Sequence, residues 1–344
     1  MTRKKPGGKT SAPARMLDLI IGYWISELVL VVSKLNLADL LEKGPRTAAD
    51  LAKSTGTNPG ALHRVLRALA GVGVFSEVAG GRFKLTPLGA TLRSRSPHSM
   101  RDFAIMMVDD YNVQAWQDLL ESVRTGENAF PRVHGMPVFE YFLNHPEKGQ
   151  VFGRAMASLS GTENPAVAAA CDFSKSRTLV DVGGSQGHLL AEILRANPKL
   201  KGILFDLPLA AEQAMKSPYL NARGVKGRVE VMAGDFFQSV PQGADTYLMK
   251  YILHDWEDAL SIKILENCRR GMAPGGRVLV VDTVIPRGNK PHWGKLLDIN
   301  MLVATGGRER TAEEFKKLFA QAGFKVRRII PTRCPLSIVE GAAA

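Results

Sequence analysis

Between Arg177 and Pro208 the chain reads RTLVDVGGSQGHLLAEILRANPKLKGILFDLP, and this stretch restricts the fold more than any other. An apolar run from Thr178 to Val182 breaks into glycines at Gly183, Gly184 and Gly187, after which apolar residues recur at helical spacing from about His188 to Ala196. The pattern predicts strand, tight turn and helix. A second apolar run, Gly202 to Phe205, ends on Asp206, 19 positions beyond Gly187. An acid at the carboxyl end of the second strand of a doubly wound sheet can accept both hydroxyls of a ribose. The stretch therefore predicts a nucleoside pocket.

What the loop lacks narrows the nucleoside. A dinucleotide fingerprint, Gly-x-Gly-x-x-Gly counted from Gly183, needs glycines where Ser185 and His188 stand. That argues against a nicotinamide-dependent oxidoreductase. A phosphate-cradling Gly-x-x-x-x-Gly-Lys-Ser/Thr loop is also missing from the sequence. The pattern Asp181-x-Gly183-x-Ser185-x-Gly187 instead resembles the Asp/Glu-x-Gly-x-Gly-x-Gly loop of S-adenosylmethionine (SAM) methyltransferases, with Ser185 in place of the middle glycine. SAM carries no phosphate, so its pocket needs close backbone approach and an acid. The alternative is an ordinary glycine-rich strand-to-helix turn.

At ~100–200 residues per domain, 344 residues predict two domains, and 45% hydrophobic content supplies real cores. The three cysteines, Cys171, Cys268 and Cys334, are odd in number and too widely spaced for a metal clip, which suits reduced thiols in a cytoplasmic protein. Net charge is +12, but Arg3, Lys4, Lys5, Lys9 and Arg15 crowd the first fifteen residues without an acid. Residues 1–15 read as a solvated, disordered basic tail, with a nucleic-acid or membrane arm as the alternative. The apolar run Met16 to Val32 contains Asp18 and Glu27 and no small-residue cleavage site follows it. A buried or dimer-facing helix suits it better than a signal peptide or membrane span.

From Ser33 to about Leu92 the pattern is that of a winged helix. Thr47 is placed to cap one helix and Asn58-Pro59 to start another through Ala70, while Val72–Val78 and Arg82–Leu85 flank Ala79-Gly80-Gly81 as a hairpin. His63, Arg64 and Arg67 on the second helix would form a recognition face on DNA; a solvated face on a dimerisation element is the alternative. Residues 100–124 continue as helix, and Val138 to Leu159 is helical with a break near His145-Pro146. Phe152 and Met156 share a face of that segment, as core residues or as contacts to a substrate.

Beyond Pro208 strands and helices alternate, as in an open, mostly parallel sheet. Strands are expected at Arg228–Ala233, Thr246–Leu253 and Arg277–Ile285, helices at Glu257–Gly271 and Thr311–Gly323, and a closing antiparallel hairpin at Lys325–Ile330 and Leu336–Glu340. After the first of these strands, Asp235 could hydrogen-bond an adenine amino group while Phe236 packs on its ring.

In order and spacing, LVDVGGSQG, FDLP, AGDFF, LMKYILHDW, APGGRVLVVDTVIP and GGRERTAEEF resemble the plant-type O-methyltransferase family, which also serves bacterial natural-product pathways; the likeness runs from about Leu17 to the end. The resemblance implies an α/β fold: a Rossmann-like SAM methyltransferase domain with a mostly parallel seven-stranded sheet, over 101–344 including connecting helices, and an N-terminal, mainly α, winged-helix dimerisation domain over 16–100. It implies a homodimer with a small-molecule hydroxyl acceptor, no metal, no nucleic acid and no membrane. By motif match, His254 is the general base, and Asp282 and Glu309 are the flanking acids. Asp181, Gly183, Gly187, Asp206, Leu207, Asp235, Phe236 and Lys250 are the implied SAM contacts; Phe152, Met156 and Met301 are candidates for the acceptor. Phe236 replaces a common methionine, and MLVAT before Gly306 lacks an asparagine frequent in plant members. A SAM-binding transcriptional regulator and an N-methyltransferase are the alternatives.

The chemistry explains why an assisted base is needed. The sulfonium is an activated methyl donor, so the protein must exclude water, align the acceptor and remove its proton. A phenol near pKa ~10 giving its proton to an imidazole near ~6.5 goes uphill by about 3.5 pH units, roughly 5 kcal/mol. Carboxylates at Asp282 and Glu309 would orient the ring and stabilise its cation. Trp256 reads as packing.

Overall fold

The computed structural model describes residues 11–96 and 99–344. Most of the expected basic tail lies outside these residues, but Ala12–Ile20 is helical, with Ser11 accepting the Ala14 N–H at its start. Residues 12–15 are thus helix where tail was expected, because a serine cap followed by Pro13 provides a helix start. Two compact units emerge, one of residues up to Gln114 plus Phe142–Leu159, the other of Ala115–Tyr141 plus Ser160–Ala344.

The first unit contains the winged helix. Strands β1 (Arg46–Thr47), β2 (Phe75–Val78) and β3 (Arg82–Leu85) form an antiparallel sheet in the order β1-β3-β2. Helices Ala48–Thr55 and Pro59–Gly71 begin as their caps predict: Thr47 and Asp50 form a reciprocal capping box, and Asn58 Oδ1 accepts the Ala61 N–H. Leu51, Leu66, Leu69, Phe75 and Phe83 are fully enclosed. His63 packs edge-on against Phe83, while Arg64 and Arg67 are exposed. The apolar run near the N-terminus forms two helices, Ala12–Ile20 and Gly22–Lys34, of which only Val32 and Ser33 are buried within the chain. Leu19, Ile20, Tyr23 and Trp24 stand more than half exposed. Among the described residues this is the one stretch long and apolar enough to cross a membrane.

The single helix expected over 100–124 is three: Arg101–Val108, Asp110–Gln117 and Leu119–Thr125. Asp109 breaks the first by adopting an extended ψ of 154° and accepting the Asp110 N–H with its own carboxylate. The helix expected to end near Leu159 runs on, from Pro146 to Ala170, with Pro165 inside it.

The second unit is built on seven strands: β4 (Thr178–Val182), β5 (Lys201–Asp206), β6 (Val229–Ala233), β7 (Thr246–Lys250), β8 (Arg277–Asp282), β11 (Phe324–Pro331) and β12 (Ser337–Ala343), in the order β11-β12-β8-β7-β4-β5-β6. The central strands pair in parallel and the closing hairpin is antiparallel. Successive residues of the central strands enter opposite apolar layers: Leu179, Leu248, Leu279 and Val281 face one, Val180, Tyr247, Met249, Val278 and Val280 the other. Burial on both faces explains why these strands read as continuous apolar runs. A short parallel pair, β9 (Val284–Ile285) with β10 (Arg310–Thr311), lies apart from the main sheet. The strand expected over 277–285 is therefore two. Strand order reverses at β4, which has β5 on one side and β7 on the other, and the crevice beyond the carboxyl ends there is the ligand position of such sheets.

Candidate active site

At the end of β4, Gly183 and Gly187 take φ of +69° and +73°. A Cβ on Gly183 would meet the tip of Ile252, and one on Gly187 would strike Leu220 and Leu204, so backbone shape demands glycine at both positions and packing adds to it at Gly187. Ser185, between them, also adopts a left-handed φ of +49°. Serine's small size does not remove the backbone cost of that conformation, roughly 1 kcal/mol; the Ser185 N–H bond to Asp206 Oδ2 at 2.8 Å offsets it. The other Asp206 oxygen accepts the Leu207 N–H at 2.7 Å. Each oxygen retains lone-pair capacity for a ribose hydroxyl, and Leu207 offers exposed apolar surface beside it. Burial raises the Asp206 carboxyl above its ordinary range, opposed by the two N–H bonds. Asp181, enclosed in β4, is raised to about 7 by burial and by Asp206, against the pull of Lys250. Past β6, Asp235 Oδ1 accepts the Phe237 N–H at 2.8 Å, and Phe236 and Phe237 both pack edge-on against Trp256. An acid-lined, partly apolar rim at three adjacent strand ends fits an adenosyl group.

Lys250 closes β7. Its ammonium reaches Glu163 Oε2 at 2.8 Å, Asn164 Oδ1 at 3.0 Å and Ser160 Oγ at 3.2 Å. Its three donors thus meet residues of helix Pro146–Ala170 and tie that helix to the sheet. The strand expected to reach Leu253 stops here because Tyr251 turns left-handed (φ +57°), and Leu253–Asp255 forms a 3-10 turn.

That turn carries His254, 7% exposed. Nδ1 lies 2.7 Å from Glu309 Oε1 and Nε2 lies 3.7 Å from Asp255 Oδ1. Asp282, at the end of β8, is buried with neither carboxylate oxygen hydrogen-bonded among the described residues. Burial alone would lower the imidazole's pKa, but Asp255, the Glu309 hydrogen bond and Asp282 outweigh it and raise it to about 10. Burial raises Asp255 to about 6 and Asp282 to about 7, in both cases opposed by His254. The sequence-predicted trio His254, Asp282 and Glu309 is brought together.

Four further residues hold this arrangement. Arg310, 1% exposed, donates to the carbonyls of Leu253 and Trp256, to Ser261 and to Asp258. Gly307 packs on the turn so closely that a Cβ would collide with the His254 carbonyl, and the Arg308 N–H donates to that carbonyl at 2.9 Å. Asp298 Oδ1 accepts the Glu309 N–H at 2.8 Å. Gly307 and Arg310 stand inside GGRERT, but nothing in that string shows that its backbone lies against the histidine turn. Asp298 belongs to helix Trp293–Ala304, as does Met301, which is buried at the end leading into this segment. Phe152 and Met156 belong to the first unit, where Phe152 stacks on Phe142 at 4.8 Å.

A family model for an O-methyltransferase domain matches residues 116–325, and one for an O-methyltransferase dimerisation domain matches residues 17–95. The chain belongs to the plant-type O-methyltransferase family. It is a SAM-dependent methyltransferase. It is 44% identical, over 99% of both chains, to the phenazine O-methyltransferase PhzM of Lysobacter antibioticus. It is also 37% identical to the 8-amino-8-demethylriboflavin N,N-dimethyltransferase of Streptomyces davaonensis, over 96% of this chain and 95% of that one. The solved structure of the O-methyltransferase NcsB1 of neocarzinostatin biosynthesis, with SAM and 2-hydroxy-5-methyl naphthoic acid, superposes with a TM-score of 0.80 at 33% identity, covering 93% of this methyltransferase and 96% of NcsB1. Among the described residues, no group of three or more His, Cys, Asp or Glu side chains is arranged to hold a metal ion.

Proposed function

We propose that this methyltransferase acts on a phenolic hydroxyl of a flat, hydrophobic small molecule, with His254 taking the hydroxyl proton. The observation that carries the reading is the 2.7 Å contact between His254 Nδ1 and Glu309 Oε1. A proton held on Nδ1 by that carboxylate leaves Nε2 to accept one from the acceptor. With its pKa raised to about 10, the imidazole matches a phenol near ~10, and the uphill transfer expected of a free histidine becomes nearly level. Asp282 balances the charge that the ring acquires. When bound, SAM supplies the activated methyl group; Asp181, Gly183, Gly187, Asp206, Leu207, Asp235, Phe236 and Lys250 would hold it. Met301, Phe152 and Met156 are proposed for the acceptor. The exposed apolar helix Gly22–Lys34, inside the matched dimerisation domain, and helix Ala12–Ile20, which runs into its start, support a homodimer.

The similarity to an N,N-dimethyltransferase favours a second reading, an amine acceptor. An amine that attacks through a free lone pair has less need of a base, which separates the two. Purified protein with SAM is offered hydroxyphenazines, hydroxynaphthoates and the corresponding aromatic amines, and products are read by mass. Hydroxyl methylation that falls about 100-fold or more in His254→Gln, with SAM affinity within a few fold, supports the first reading. Methylation confined to amines, or undiminished in that variant, overturns it.

A further inference from the structure

Tyr251 holds a backbone conformation that bulky L residues avoid. Its φ is +57°, a strain of about 1–3 kcal/mol that persists only where surroundings impose it. Three contacts impose it here. The Tyr251 N–H donates to the Val281 carbonyl at 3.2 Å, its hydroxyl donates to Glu163 Oε1 at 2.8 Å, and its ring lies on the His254 ring with centroids 4.9 Å apart and planes 25° from parallel. Glu163 is itself only 3% exposed, and its second oxygen meets the Lys250 ammonium, which stands 5.0 Å over the tyrosine ring. Burial and then the neighbouring Glu163 carboxylate push the phenol well above its ordinary range, so it donates and does not ionise.

We propose that Tyr251, tethered by Glu163, is a positioning residue for His254. The flat ring fixes the plane of the imidazole, so that Nδ1 meets Glu309 at 2.7 Å and Nε2 keeps its place 3.7 Å from Asp255 Oδ1. Its π face also steadies the imidazolium formed when the proton arrives. Neither residue needs to touch the substrate. A purely structural role competes, because Tyr251 also packs against the apolar layer of Leu179 and Leu248. Packing alone predicts lost stability with an unaltered imidazole.

The inference rests on His254 being the base, so the test includes a readout that does not need turnover. The full chain is labelled at histidine Cε1, saturated with S-adenosylhomocysteine, and titrated by NMR. In parallel, methyl transfer to a monohydroxyphenazine is measured at saturating SAM. Tyr251→Leu is expected to lower the His254 titration by about half a pH unit or more and to cut kcat about 10-fold, with KM for SAM within about threefold. Tyr251→Phe, which keeps the flat ring and loses the tether, is expected to fall between Tyr251→Leu and the unaltered chain. A Tyr251→Leu protein whose His254 titration and kcat match the unaltered chain overturns the inference. So does a Tyr251→Phe protein as impaired as Tyr251→Leu. Full turnover in His254→Gln would instead remove the base reading, and the titration alone would then decide the positioning role.

Discussion

Glu309 Oε1 lies 2.7 Å from His254 Nδ1, and both side chains are withdrawn from solvent. The carboxylate arrives from a segment 55 residues further along the chain, while the histidine rides on a turn directly after a central strand. Their meeting depends on backbone contacts that brace the turn, and those contacts can be tested separately from the ionisable groups.

The ionisable groups predict the pH profile. If neutral imidazole is the active form, turnover on a phenol climbs with pH through neutrality and beyond, toward the value of about 10 set by Asp255, Glu309 and Asp282. Asp282→Asn removes one of the charges that hold the imidazole up, so the ascending limb moves to lower pH while maximal turnover falls. Stability moves the other way. A folded-state pKa of about 7 for Asp282, above the unfolded 3.8, means that this carboxyl's contribution to stability is lost as pH rises from about 4 to about 7. The asparagine variant escapes that loss, so its melting temperature is expected to exceed that of the unaltered chain at pH 8, with the gap narrowing toward pH 5. Rate profiles and thermal melts at the two pH values check both limbs.

Gly307→Ala tests the brace. The methyl group has no room beside the His254 carbonyl, whose bond from the Arg308 N–H would lengthen or break. A loss of about 1–3 kcal/mol is expected, with kcat falling more than SAM affinity because the displaced turn carries the imidazole. Urea unfolding, turnover and SAM calorimetry on the one variant give the comparison; unchanged kcat would show that the turn tolerates displacement.

Asp206→Asn tests the donor pocket. The amide oxygen can still receive the Ser185 N–H, but the amide NH2 then faces the Leu207 N–H and that bond is lost, so a fall in stability of about 1 kcal/mol is expected beside the binding effect. Loss of the charged acceptor should weaken SAM binding roughly 10- to 100-fold, the range for a hydrogen bond to a charged group. Calorimetry with S-adenosylhomocysteine measures it without turnover.

Local chemistry made much of the fold legible. The capping boxes at Thr47 and Thr311, Asn58 before Pro59 and the glycine turn after Val182 each place an element end close to where it stands. Asp206 and His254 could be read because each closes or follows an apolar strand. Tyr251 could not, since nothing in LMKYILHDW marks a left-handed tyrosine; that conformation is imposed by Val281, His254 and a glutamate 88 residues earlier. Glu163 was equally hidden, because the helix carrying it continues past the point where apolar spacing fades. The break at Asp109 depends on a carboxylate turning to its neighbour's N–H, and its sequence surroundings are apolar and helical.

The buried Arg310 has a consequence for how the site works across pH. A guanidinium offers five N–H donors in a fixed fork, and here it grips the carbonyls on both sides of the histidine. The imidazole can exchange its proton while the hinge it hangs from keeps these backbone bonds. Gain or loss of a proton at residue 254 therefore leaves this anchor of the loop unaltered.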